Sequence, residues 1–192
     1  MTTYILHGGE TGIPNEHNKA FYQSWVKDFE QDFVPTILLL YFAKPESQWP
    51  NLEQQDRERF KNHTNNRQVN FTVANKDIDL LRKQIEESDV VYARGGSSDN
   101  ILNLLEPLKN ELAELLYEKI YVGSSAGVMV ISNYTSSTKN YWRKGLGIAP
   151  INTFVHWNPE FQPELDSFRK SHNDGGFEWL RIQETEFITR SY

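Results

Sequence analysis

Residues 120–131 read Ile120-Tyr121-Val122-Gly123-Ser124-Ser125-Ala126-Gly127-Val128-Met129-Val130-Ile131, which is an apolar run, a turn of small residues and a second apolar run. The first run is continuous rather than alternating, as is typical of a strand that is buried on both faces of a parallel sheet. The small residues after it indicate a tight turn into a helix. The stretch therefore predicts a strand-turn-helix unit of an α/β fold.

The same order recurs along the chain. Three more apolar runs, at 4–6, 36–43 and 90–93, predict buried strands, and an alternating run at 68–74 predicts a strand nearer the sheet edge. Segments of helical length lie between them, at 15–33, 76–87 and 100–118. This alternation predicts an α/β fold with a doubly wound, mostly parallel sheet and helices on both faces, within one domain that spans residues 1–192.

Beyond Ser132 the pattern is weaker. Residues 133–147 indicate a loop or hairpin, 163–170 a short helix, and 178–190 one or two strands. The polar stretch 46–67 favours a solvated helix.

Composition excludes several classes of function. The 192 residues contain no cysteine, which excludes disulfides, thiolate metal sites and cysteine nucleophiles. The net charge of -6 argues against a nucleic-acid partner. No apolar run approaches the roughly 20 residues that span a bilayer, and residues 1–9 lack the basic segment of a signal peptide. We therefore expect a cytoplasmic protein with no membrane partner.

The pentapeptide Gly123-Ser124-Ser125-Ala126-Gly127 has the Gly-x-Ser-x-Gly pattern of a nucleophile elbow. A serine on such a tight turn needs small neighbours because the backbone is crowded and strained. Ser125 is therefore the candidate nucleophile, and the alternative is a helix N-cap followed by a closely packed glycine. A second glycine-rich junction, Arg94-Gly95-Gly96, can direct backbone amides at one point, as an oxyanion hole requires. Its alternative is a turn capped by Ser98 or Asp99.

A serine nucleophile needs a base, and the chain contains five histidines. We choose His156 because it follows an apolar stretch downstream of the elbow. His7 ends the first predicted strand near the site, and the other three occupy polar segments: His17, His63 and His172.

These residues resemble the aspartyl dipeptidase (peptidase E) and cyanophycinase family of serine peptidases. Residues 121–127 are similar to its nucleophile segment, residues 91–105 to its glycine-rich loop and helix, and residues 155–158 to its histidine segment. The resemblance implies a class I glutamine amidotransferase-like, flavodoxin-like fold. The family commonly has three glycines where this chain has Arg94-Gly95-Gly96, so Arg94 either binds a substrate carboxylate or points to solvent.

The resemblance implies a Ser-His-Glu mechanism without a metal or organic cofactor. Ser125 attacks the substrate carbonyl, His156 is the base, and Glu184 orients His156, with Glu186 as the second choice. The amides of Ala126 and of Gly95 or Gly96 hold the oxyanion. The resemblance also implies a small peptide substrate with N-terminal aspartate, whose acidic side chain is bound by a cation. The candidate cations are Arg94, Arg143, Lys144 and Arg169.

Three functions remain open at this point. One is a peptidase E-like serine dipeptidase, another is an esterase or amidase that uses the same elbow, and the third is a ligand-binding relative without turnover. A homodimer is one oligomeric state that we consider, although no residue pattern determines it.

Overall fold

The computed structural model describes residues 1–139, 141–173 and 175–192. Its main sheet has six strands in the order β10-β1-β5-β4-β2-β3, all parallel except β10, which runs antiparallel to β1. The strands span Thr3–His7 (β1), Thr36–Leu40 (β2), Asn70–Val73 (β3), Val90–Ala93 (β4), Ile120–Ser124 (β5) and Phe187–Ser191 (β10). The predicted doubly wound, mostly parallel α/β fold is confirmed, and the alternating run lies at the sheet edge as β3.

Helices cover both faces of this sheet. They span Glu16–Ser24 (α1), Trp49–His63 (α2), Ile78–Glu86 (α3), Ser98–Leu105 (α4), Leu112–Leu115 (α5) and Ala126–Ile131 (α6). A further helix, Gln162–Ser171 (α7), instead packs through Phe168 on Trp142 and Trp179. Alternate strand residues face opposite sides: Ile37 and Leu39 pack with α1 and α2, whereas Leu38 and Leu40 pack with α3, α4 and α6. Within the described residues, no helix is long and apolar enough to cross a membrane.

Two predicted helices are shorter in the structure. The helix predicted over 15–33 ends at Ser24 and continues as turns. The one predicted over 100–118 breaks after Leu105 into a short 3-10 turn, Glu106–Leu108, before α5. Pro107 explains the break, since proline lacks an N–H and clashes with the preceding turn.

A second sheet was not predicted. Its order is β7-β6-β8-β9, with strands Tyr134–Ser136 (β6), Trp142–Lys144 (β7), Ile151–Val155 (β8) and Glu178–Ile182 (β9). The hairpin β6-β7 is antiparallel, and β6, β8 and β9 run parallel to one another. The end of β8 and the turn between β9 and β10 lie close to the carboxyl ends of three main-sheet strands, β1, β4 and β5.

Candidate active site

Ser125 lies on the turn between β5 and α6 with φ +48° and ψ -105°, a strained conformation for a residue with a side chain. The flanking glycines permit the turn. A Cβ at Gly127 would overlap the carbonyl oxygen of Ala93 on β4, and one at Gly123 would lie 2.9 Å from the carbonyl carbon of Gly127. The Ser125 amide donates a hydrogen bond to the carbonyl oxygen of His7 (2.9 Å). The Gly-x-Ser-x-Gly spacing is therefore a packing requirement of this turn.

His156 follows β8 and also has a positive φ, +53°. Its Nε2 lies 2.6 Å from Ser125 Oγ, and its Nδ1 contacts the Glu184 carboxylate at Oε1. A carboxylate can only accept, so Nδ1 carries the proton and donates it to Glu184, which leaves Nε2 to accept from the Ser125 hydroxyl. The three side chains that the sequence singled out form one continuous chain of hydrogen bonds.

Glu184 is held by the glycines that follow β1. The Thr185 amide donates to the Gly9 carbonyl (3.1 Å), and the Gly8 amide donates to the Glu186 carbonyl (2.9 Å). Gly9 has φ +152°, and a Cβ there would lie 2.5 Å from Glu184 Oε2 and 2.7 Å from His156 Nδ1. The Gly9 backbone thus covers the His156-Glu184 pair, a role that the residue pattern did not reveal, although Gly8-Gly9 was recognisable as a turn after a strand.

The predicted oxyanion groups lie beside Ser125. A Cβ at Gly95 would lie 3.3 Å from the Ser125 Cβ, so the glycine loop packs against the serine. In residues 1–139, 141–173 and 175–192, the backbone amides of Gly95, Gly96 and Ala126 have no hydrogen-bond acceptor. These N–H groups remain available to a ligand at the serine.

His7 is buried beneath the loop that covers the site. It accepts a hydrogen bond from the Gly9 amide at Nδ1 (3.1 Å) and donates from Nε2 to Asn18 Oδ1 (2.7 Å). Asn18 in turn donates to the carbonyl oxygens of Glu10 (3.0 Å) and Ile13 (2.6 Å). Burial lowers the pKa of His7 to about 4, against the smaller opposing effect of the Asn18 hydrogen bond. His7 is therefore a neutral residue that shapes the loop from Gly8 to Ile13.

Two cavities flank Ser125 and His156. One, of about 350 Å³, is bounded by the loop 9–12, α2 and the glycine loop, and its lining includes Lys44, Arg59 and Arg94. The other, of about 390 Å³, lies between residues 96–99 and the β6-β7 hairpin. His156 is the one histidine among the described residues that line them.

Arg94 lines the first cavity, but its Nη1 is bound to the Asp56 carboxylate on α2. The Arg94 side chain is 13% exposed and that of Asp56 is 0% exposed. Tyr41 also donates to Asp56 (3.0 Å). Burial raises the pKa of Asp56, while Arg94 acts in the opposite direction. The polar stretch around α2, predicted to be solvated, thus has one buried acidic side chain, and the expectation that Arg94 binds substrate stays a prediction.

The other candidate cations lie elsewhere. Arg143 donates to Ser98 Oγ (2.7 Å) and contacts Asp99, so it ties the hairpin to the start of α4. Lys144 lies over the Tyr134 ring, and Arg169 lies in α7. Within the described chain, no group of three or more His, Cys, Asp or Glu side chains could hold a metal ion.

Comparisons with known proteins found one family model and solved structures with a similar fold. A family model for peptidase family S51 matches residues 5–190. A peptidase from an acI-B1 Actinobacterium superposes with a TM-score of 0.68 at 19% identity, over 99% of this chain and 83% of that one. A protein from Listeria monocytogenes EGD-e described as peptidase E superposes with a TM-score of 0.60 at 12% identity, over 100% of this chain and 99% of that one. No curated protein sequence matched.

Proposed function

The chain belongs to peptidase family S51 and is a serine-type peptidase, and from this premise we propose that it cleaves small peptides by a Ser-His-Glu mechanism. The observation that carries the proposal is the continuous hydrogen-bond chain from Ser125 through His156 to Glu184, with 2.6 Å between Ser125 Oγ and His156 Nε2. A serine hydroxyl becomes a nucleophile when an adjacent base can take its proton and a third group orients that base.

In the proposed mechanism, Ser125 Oγ forms a bond to the scissile carbonyl carbon while its proton passes to His156 Nε2. Glu184 stabilises the resulting imidazolium through Nδ1–H. The amides of Ala126 and of Gly95 or Gly96 donate to the negative oxygen. His156 then protonates the leaving amine as the C–N bond breaks, and a water molecule, deprotonated by His156, hydrolyses the acyl-enzyme and regenerates Ser125.

The substrate that we propose is a dipeptide with N-terminal aspartate. Cavities of about 350 and 390 Å³ are near the lower end for small-molecule sites, which supports a short peptide. The cations along the first cavity, Arg94 among them, support an acidic group on the residue that is cleaved. Arg94 is bound to Asp56, so it anchors the glycine loop to α2 and its charge is offset by that carboxylate.

Hydrolysis of Asp-X dipeptides, measured by release of the free amino acids, tests this function. Ser125→Ala should lower turnover by about 10⁶-fold with the fold retained, as expected for loss of a serine nucleophile. Ser124→Ala is the matched control, since Ser124 is the buried neighbour and should matter far less. Equal activity of Ser125→Ala and the unmodified protein would contradict the mechanism, and turnover of p-nitrophenyl esters but no dipeptide would favour an esterase.

A further inference from the structure

Arg94 and Arg59, two of the three cations that line the cavity beside Ser125, differ in how many of their hydrogen-bond donors already have partners in the protein. Arg94 is bound to Asp56 and Gln55, and only 13% of its side chain is exposed. Because Asp56 is completely buried and carries the opposite charge, it neutralises Arg94 locally. Arg94 therefore has little hydrogen-bonding capacity left for a ligand.

Arg59 occupies a different environment on the same helix as Asp56. Its Nη1 lies 3.7 Å from Asp56 Oδ1, which is beyond hydrogen-bond distance, and its side chain is 28% exposed. Among the residues that the structure describes, the Arg59 guanidinium donates no hydrogen bond. A Cβ on Gly12 would lie 2.6 Å from Arg59 Nη2, so the guanidinium packs against the loop that follows β1. Arg59 is thus a cation that packs beside this loop with its hydrogen-bond donors unused.

The charged side chains around the cavity distinguish the two arginines as well. Lys44, Arg59 and Arg94 contribute three positive charges, whereas Glu10 on the rim and Asp56 behind the wall contribute two negative charges. Glu184, which is bound to His156, adds a third negative charge, so the positive and negative charges around the site are equal in number, and Arg59 stands out as the guanidinium that no carboxylate of the described residues binds by a hydrogen bond. A guanidinium presents parallel N–H donors that match a carboxylate better than an ammonium group can.

We propose that Arg59 is a specificity-determining residue that binds a carboxylate of the substrate in the cavity next to Ser125. This inference rests on the proposed peptidase function and identifies the residue that binds the acidic group of the substrate. The carboxylate has two chemical sources in an Asp-X dipeptide, the aspartyl side chain and the free C-terminus. Asp56 lies behind this site and binds Arg94, which leaves Arg59 as the guanidinium that is available to the ligand.

The test compares Arg59→Gln with the unmodified enzyme on four substrates: Asp-Leu, Asn-Leu, Asp-Leu-amide and Asn-Leu-amide. Loss of hydrogen bonds to a charged group should lower kcat/KM by about 10- to 100-fold for substrates that carry the carboxylate bound by Arg59, chiefly through KM. A loss on both Asp substrates alone identifies the side chain, and a loss on both free acids alone identifies the C-terminus. Asn-Leu-amide, which has neither carboxylate, should be hydrolysed equally by both proteins.

Two variants serve as controls. Arg57→Gln removes a cation from the same helix that pairs with Glu53 (2.9 Å) and contacts the Phe71 carbonyl, away from the cavity, and should change none of the four rates. Arg59→Lys retains the charge and should recover part of the loss. Equal losses on all four substrates, or no loss on any, would overturn the assignment.

Calorimetric titration with succinate separates this inference from the proposed function. If the enzyme hydrolyses none of the four peptides, the dipeptidase proposal fails, but succinate binding that Arg59→Gln abolishes and Arg57→Gln retains would still support a carboxylate site at Arg59. Absence of succinate binding to the unmodified protein, or equal binding to Arg59→Gln, would overturn it.

Discussion

Replacing Gly9 with alanine should disable the site although Ser125, His156 and Glu184 themselves are unchanged. The new methyl carbon would lie 2.5 Å from Glu184 Oε2 and 2.7 Å from His156 Nδ1. The nearest ring atom, His156 Cε1, would lie closer still. Because carbon atoms that are not bonded require at least about 3.4 Å, the His156 ring must move by about 1 Å or the loop must move away. The loop cannot move freely, because Gly9 also binds Thr185 and His7.

This displacement should lengthen the 2.6 Å contact between His156 and Ser125. Because misplacing a catalytic group by about 1 Å can lower the rate by about 10²-fold, we expect turnover to fall by about 10- to 100-fold while KM changes little. The backbone strain of alanine at φ +152° adds a stability loss of about 1–3 kcal/mol.

Steady-state hydrolysis of an Asp-X dipeptide and urea unfolding measure the two effects separately. Gly147→Ala is the matched control, because Gly147 also has a positive φ (+69°) but no atom lies within 4 Å of its hypothetical Cβ. It should lose stability and retain full turnover. Full activity of Gly9→Ala, or an equal decrease in turnover for both variants, would refute the view that Gly9 packs against a working His156-Glu184 pair.

Three more predictions follow from individual contacts. Glu184→Gln should lower turnover by about 10²- to 10⁴-fold because it weakens the acceptor for His156 Nδ1–H. Glu186→Gln should have little effect. A larger loss for Glu186→Gln would mean that Glu186, not Glu184, orients His156. Arg94→Ala should lower the free energy of unfolding by about 3 kcal/mol, since it leaves Asp56 buried without its hydrogen-bonded partner, and adding Asp56→Asn should restore part of that loss. Burial lowers the pKa of His7 from 6.5 to about 4, so as the pH falls the unfolded state takes up a proton on His7 before the folded state does. The free energy of unfolding should therefore decrease by about 3 kcal/mol between pH 7 and pH 4. His7→Gln should show a smaller decrease over the same range.

The parts of the fold that follow from local pattern could be predicted. Continuous apolar strands and the glycine-bounded serine are properties of adjacent residues, so β5, the turn at Ser125 and α6 were recognisable. His156 follows an apolar stretch and resembles the family's histidine segment, whereas Glu184 follows from the resemblance alone; in the structure His156 contacts Ser125, and Glu184 contacts His156. The break at Pro107 was visible in the sequence, and the prediction of one helix there was wrong.

Other features depend on contacts between distant segments, which residue spacing does not reveal. The Arg94-Asp56 pair joins residues 38 positions apart, so a polar helix gave no sign of its one buried acidic side chain. The second sheet buries polar residues in its strands, among them Thr135, Asn152 and Thr153, so these strands do not form the continuous apolar runs that marked the main sheet. Gly9 contributes through the absence of a side chain, and only the positions of His156 and Glu184 explain it.

The central claim is that Ser125 is the nucleophile activated by His156, and covalent labelling tests it most directly. A fluorophosphonate reagent phosphonylates an activated serine, and peptide mass spectrometry then identifies the modified residue. We predict a single adduct on Ser125, lost in Ser125→Ala, retained in Ser124→Ala and strongly slowed in His156→Ala because Nε2 no longer accepts the hydroxyl proton. An adduct on Ser124, or labelling of Ser125 at an equal rate without His156, would contradict the account.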